Sequence, residues 1–280
     1  MYHTFKGLSS FCEDFRENAS LDKNFLLCYN VLCKNRKGLI FMGIDEFTQN
    51  FLKDLQIVKP KKSKLIDSNQ IDSMDFPERI QTLIRLASAY DPNNAIHGAN
   101  RHKYQLNPPA TLADVRAFER EFHITIPEIF VRFLTEVGNG GAGVDYGIYS
   151  LEKIRKENAH LKYPHEKNIF DYDNIKEKWV ELAQELYYCA DDNEEEIDRI
   201  YGDMYGGLLV IGTNGCTYDH VLICEGKHTG MMGMIDWNSE VNSVPWFYGM
   251  DFETWICNHF KKIILGEVNK HSANFWTVKP

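Results

Sequence analysis

Long hydrophobic runs are missing from this 280-residue chain. The longest, at residues 207–212 and 262–266, fall far short of the roughly 20 apolar residues a membrane-spanning helix needs, so no membrane partner is expected. MYHTFKGLSSFCEDF has no basic start followed by an apolar core, and no signal peptide is expected. The seven cysteines are odd in number, irregularly spaced and without a CxxC pair, which fits reduced thiols in a cytoplasmic protein. No internal repeat recurs at a fixed period. Positive charge is scarce over much of the chain: residues 105–265 carry 27 acidic and 14 basic side chains, whereas residues 1–104 carry 12 and 15. Phosphate binding requires grouped Lys and Arg, so the larger region is not expected to bind nucleic acid directly. Its carboxylate excess suits a basic protein partner, or solubility alone.

The chain does have an ordinary globular composition, 44% hydrophobic and 25% charged, and length for one large domain or two small ones. Its organising stretch is residues 111–147. Thr111 can cap a helix with Asp114 as capping-box partner, and Leu112, Val115, Phe118 and Phe122 follow as an apolar stripe. Pro127 suits the first turn of a second helix, in which Phe130, Phe133, Leu134 and Val137 share a face. Gly138 is placed to end that helix in the left-handed conformation.

Residues 1–58 stand apart. Two strands (24–34 and 38–44) and a short helix (47–55) make a small N-terminal α/β module with no legible function. Residues 59–75 read as a linker, whose four lysines form a solvated hinge sooner than a nucleic-acid patch. The main domain spans 76–266. Ile80, Leu83, Ile84 and Ala87 mark its first helix, residues 91–107 are irregular, and 148–151 read as a strand. Ile175, Trp179, Leu182, Leu186 and Cys189 lie on one face of a helix over 174–189. The acidic run 191–196 reads as a loop or frayed helix end. Residues 208–211, 221–224 and 231–236 read as antiparallel strands, joined by turns at Thr213-Asn214-Gly215 and Glu225-Gly226-Lys227. Asp251 caps a last helix that buries Phe252, Trp255, Ile256, Phe260 and Ile263; Gly266 ends it, and 267–280 form a tail. The expected fold class is α+β, a mostly antiparallel sheet flanked by helices.

Four groups of residues invite a chemical reading. The glycines of residues 138–143 follow a helix, where carbonyls point outward, and lack a Gly-Lys-Ser/Thr sequel, so a phosphate cradle is disfavoured. Cys216, His220, Cys224 and His228 are zinc-ligand types. Along one strand, however, Cys216 and Cys224 stand about 26 Å apart, far beyond ligand bonds of about 2.0–2.3 Å. A Cys216 nucleophile with His220 or His228 as base and Asp219 as orienting group fails on strand alternation, which turns Asp219 away from His220. The fourth group is an interface: the carboxylates Asp191, Asp192, Glu194, Glu195 and Glu196, with Tyr146, Trp246 and Tyr248. Residues 238–249 look loop-like and leave those last two aromatics, with Phe247, partly exposed; such aromatics rimmed by acids match the make-up of a protein-binding hot spot.

Three blocks carry a family resemblance: NPPAT…FE…ITIPEIFVRFL…VGNGGAGVDYGIYSL, GLLVIGTNGCTYDHVLICEGKHTGMMGMIDWN and GMDFETWICNHF. In this order, over residues 76–266, they resemble the opening, central strands and closing helix of the SUKH superfamily, which includes bacterial immunity proteins and fungal cell-wall regulators. The resemblance implies a binding protein and no enzyme or cofactor. It points to an immunity protein that occludes a cognate basic toxin such as a nuclease. A regulatory scaffold that binds a host protein is the alternative, and a hydrolase using Cys216 or a metal ranks third.

Overall fold

A computed structural model describes residues 71–159, 161, 164, 167–189, 193–215, 217–236 and 244–268. The expected N-terminal module, the linker through residue 70 and the tail from residue 269 lie outside the described residues. The centre is a four-stranded antiparallel meander in sequential order: β1 (Leu208–Gly215), β2 (Tyr218–Ile223), β3 (Met231–Asp236) and β4 (Trp246–Asp251). Gly226 at φ 83° turns the chain between β2 and β3, as the sequence predicts. Thr213, Asn214 and Gly215 are not a turn but the irregular end of β1, where Thr213 pairs with Asp219 and Gly215 with Tyr218. The Thr213 hydroxyl holds this end, donating to the Tyr218 carbonyl (2.8 Å) and accepting from the Gly215 N–H (3.0 Å).

Both sheet faces are covered, which is why β1 reads as an unbroken apolar run. Leu209, Ile211, Leu222, Cys224 and Met232 face one hydrophobic cluster, and Leu208, Val210, Val221, Ile223 and Ile235 face another. The first cluster receives α1 (Phe76–Tyr90), the short α2 (Ala99–His102), α3 (Leu112–Phe122), α4 (Glu128–Arg132), α5 (Leu151–Glu157) and, after α6 and α7 below, α8 (Phe252–Leu265). Phe252 meets Phe130 and Phe133 edge-on at 5.0 and 5.4 Å, the geometry favoured by the ring quadrupole. The second cluster receives a 3₁₀ turn (Ile169–Asp171), α6 (Ile175–Tyr188) and α7 (Glu194–Tyr205).

Local signals account for most element ends. Thr111 Oγ1 accepts from the Asp114 N–H and the Asp114 carboxylate accepts from the Thr111 N–H, the expected capping box. Leu112 is nevertheless 53% exposed, because a first-turn side chain tilts back past the helix start. Asp251 accepts from the Thr254 N–H at 2.7 Å, and Gly266 closes α8 at φ 70°.

Several expectations change. The helix after Pro127 runs only five residues before a π-helical turn (Phe133–Val137), and Gly138 is extended (φ 175°) rather than left-handed. Its N–H reaches back to the Phe133 carbonyl at 2.9 Å, and a Cβ there would meet the Asn107 carbonyl at 2.9 Å, so space, not handedness, selects glycine. Ile148 makes only isolated bridges, to Gly141 and Gly212, before Ser150 caps α5. Of the two readings of the acidic run, the helix end is the one seen in its described part: Asn193 caps α7, and Glu194–Glu196 form its first turn, where carboxylates complement the helix dipole. The loop expected around Trp246 is strand β4, whose Trp246 and Phe247 pair with Met234 and Gly233. Finally, residues 91–107 contain the one-turn α2.

Candidate functional site

The glycine-rich loop delivers one acidic side chain to the interior. Asp145 takes a left-handed backbone (φ 51°), and its carboxylate is 1% exposed. His220 on β2, equally buried, places Nε2 3.0 Å from Asp145 Oδ2 and Nδ1 3.1 Å from the Tyr248 hydroxyl. With the proton on Nε2, the ring donates to the carboxylate and accepts from the phenol, satisfying both contacts at once. Trp255 closes over the imidazole at 5.0 Å. Asp145 Oδ1 and Trp255 Nε1 stay buried without a protein hydrogen-bond partner. Burial holds the Tyr248 phenol protonated. His102 and His259 are pushed down to about 4, chiefly by burial. Asp91 accepts from the Ala95 and Ile96 N–H groups and from the Tyr104 hydroxyl at 2.9 Å. An Asp–His–Tyr line could move a proton, but these groups lie inside the first cluster. The described cleft, of about 330 Å³, opens elsewhere, beside Thr111, Asn139 and Arg155. This centre therefore ties the glycine loop, β2, β4 and α8 together.

The backbone N–H groups of residues 138–142 in the glycine loop are already engaged by carbonyls. Gly141 N–H bonds the Ile148 carbonyl (2.8 Å) and Ala142 N–H the Gln105 carbonyl (2.7 Å). Cys216 lies outside the described residues. Cys224 is buried, and burial raises its thiol well above the ordinary range. The His228 ring sits 4.8 Å from Phe247. Among the described residues no group of three or more His, Cys, Asp or Glu is placed to hold a metal ion.

The predicted interface residues differ in exposure. Asp191 and Asp192 lie outside the described residues. Glu194 and Glu195 are exposed, while Glu196 pairs with Arg199, which lowers its carboxyl pKa. Tyr146 is half-buried beside His97 (5.3 Å) and beneath Arg101 (5.6 Å). Trp246 is 43% exposed on the edge strand. Tyr248, expected to be exposed, is buried, because strand alternation turns it inward onto His220. Of the described members, Glu194, Glu195 and Trp246 face solvent, Glu196 and Tyr146 are half-buried and Tyr248 is enclosed.

A different pair of aromatics does face outward. Tyr187 and Tyr188, the last residues of α6, are 82% and 81% exposed, with ring centroids 5.1 Å apart. The helical period could have found them: at 3.6 residues per turn they fall about 140° and 240° around from Leu182, away from the buried stripe. Arg199 clamps the two helices, reaching Glu185 on α6 at 2.5 Å and Glu196 and Asp203 on α7. The C-terminal end of α6 is thereby held beside the first turn of α7. Residues 175–205 carry ten acidic and three basic side chains.

Compared with models of known protein families, the chain matches the SMI1 / KNR4 family (SUKH-1) over residues 109–265. That span runs from the residues before the Thr111 cap to the end of α8 and includes the whole sheet and both clamped helices. No curated protein and no solved structure gives a match.

Proposed function

This chain belongs to the SMI1/KNR4 family, and from that premise we propose that it is a non-enzymatic binding domain that neutralises a cognate protein toxin by covering it. The toxin is basic, a nuclease being the class whose phosphate-binding cleft such a surface fits. The carrying observation is the charge of α6 and α7, which together carry eight acidic and three basic side chains. A negative face stands in for phosphate against a basic cleft, and complementary charge raises association toward about 10⁸–10⁹ M⁻¹s⁻¹ at low salt. The test is co-expression with the product of the neighbouring reading frame. Relief of its lethality and co-purification support the proposal; a lethal neighbour left unrelieved, or a neighbour without lethality, overturns it. The family's cell-wall-regulator side supplies the second reading, a scaffold for a host protein, which predicts a stable complex without any lethality to relieve.

A further inference from the structure

We infer that the last turn of α6 together with the first turn of α7, the tip of this helix pair, is the docking surface of this domain: Tyr187 and Tyr188 enter a concave, basic surface on the partner, and Glu194 and Glu195 meet its Lys and Arg rim. The inference rests on the proposed toxin-binding role and names the surface that performs it.

Three observations converge on the tip. First, two adjacent tyrosines each more than four-fifths exposed are unusual on a helix that otherwise buries Trp179, Leu182 and Ala183. Tyrosine is the side chain that interfaces enrich, because it covers much apolar area, loses little rotamer freedom and keeps a polar end. Second, the platform is rigid. Trp179 and Leu182 of α6 and Ile200 and Met204 of α7 are all 0% exposed in the second cluster, and Arg199 ties the helices together at the tip. A surface already held in shape loses less entropy on binding.

Third, the charge around the tyrosines is committed to one sign. Glu185, Glu196 and Asp203 are paired with Arg199, but Glu194 and Glu195 engage in no ion pair among the described residues. The C-terminal carbonyls of α6 add partial negative charge at the same end. A second copy of this chain would bring an identical acidic tip, so self-association through it is opposed. A basic protein is the occupant this chemistry fits.

The experiment measures binding kinetics between the full chain and the neighbouring reading frame's product, inactivated so that it can be purified. Tyr187→Ala with Tyr188→Ala is expected to weaken binding at least tenfold, mostly through faster dissociation, with an unchanged melting temperature because both side chains are solvent-facing. Glu194→Gln with Glu195→Gln is expected to slow association several-fold at low salt and little at high salt. Trp246→Ala, on the edge strand β4, is expected to change nothing. If wild type binds and both tip variants bind equally well, the tip is not the surface while the toxin-binding role stands. Loss of binding on Trp246→Ala alone moves the interface to β4 and overturns the inference. A wild-type dimer dissolved by the tyrosine variant would make the tip a self-contact and overturn it too. Failure of wild type to bind overturns the proposed role and this inference with it.

Discussion

His220 Nε2 lies 3.0 Å from Asp145 Oδ2, and both side chains are 1% exposed. That contact joins the glycine-rich loop to the second strand across 75 residues of sequence. Removing one member of a buried hydrogen-bonded pair strands the other. Asp145→Ala should therefore cost about 1–3 kcal/mol for the orphaned imidazole, plus the cavity left behind. Tyr248→Phe removes only the phenol and should cost about 1 kcal/mol. Urea unfolding checks the ranking; equal, negligible losses would mean that the contact does not hold the loop.

Acid should weaken the fold through two other histidines. His102 and His259, at about 4 when folded, take up protons in the unfolded chain already near 6.5. The unfolded state thus binds more protons between those values, and stability falls as pH drops through that window. Each group contributes on the order of 3 kcal/mol across the full window. Asp145 partly opposes the shift at both positions, and His220 and Lys262 deepen it at His259. Unfolding midpoints at pH 7, 6, 5 and 4.5 should decline steadily, and His259→Gln should flatten the decline. A flat profile in the wild type would contradict the assigned burial.

Asn158 acts as a substitute for a missing strand. Its fully buried amide donates to the Ile154 and Val210 carbonyls at 2.7 and 3.0 Å and accepts from the Val210 N–H at 2.8 Å. Asn158→Leu keeps the branched skeleton but leaves both Val210 groups unpaired. A loss of about 2–6 kcal/mol is expected, since each of the two buried orphans costs about 1–3 kcal/mol. Hydrogen exchange of the Val210 amide should accelerate well before global unfolding.

Gly98 and Gly230 both take left-handed backbones, φ 76° and 90°, but in different surroundings. A Cβ on Gly98 would stand 1.9 Å from the Asp145 carbonyl oxygen, whereas nothing lies within 4 Å of one on Gly230. Gly230→Ala should cost about 1–2 kcal/mol from handedness alone. Gly98→Ala should exceed it clearly, because backbone rather than a flexible side chain must move. Melting temperatures of the two variants decide; similar shifts would mean that the Asp145 loop yields freely.

The α+β class, the capping box at Thr111, the buried face of α8 and the β2–β3 turn are legible in the sequence because each depends on residues close together in the chain. The misses share a cause in longer-range packing. The π-helical turn and extended Gly138 answer to the Asn107 carbonyl, which no helical pattern reports. Helix α7 hides behind its own acids: three consecutive glutamates look like solvated loop until Ile200 and Met204 are seen beneath them. Tyr248 reads as exposed because its strand partners lie on β3 and its hydrogen bond on β2. His220 reads as a ligand or base, yet its partner Asp145 lies 75 residues away, beside glycines that the sequence offers only as a disfavoured phosphate cradle.

Alternate residues along the central strands serve two separate apolar clusters. The segment bearing the outward tyrosines contributes to one of them alone. The docking surface proposed above can therefore vary at its solvent-facing side chains without touching the other cluster.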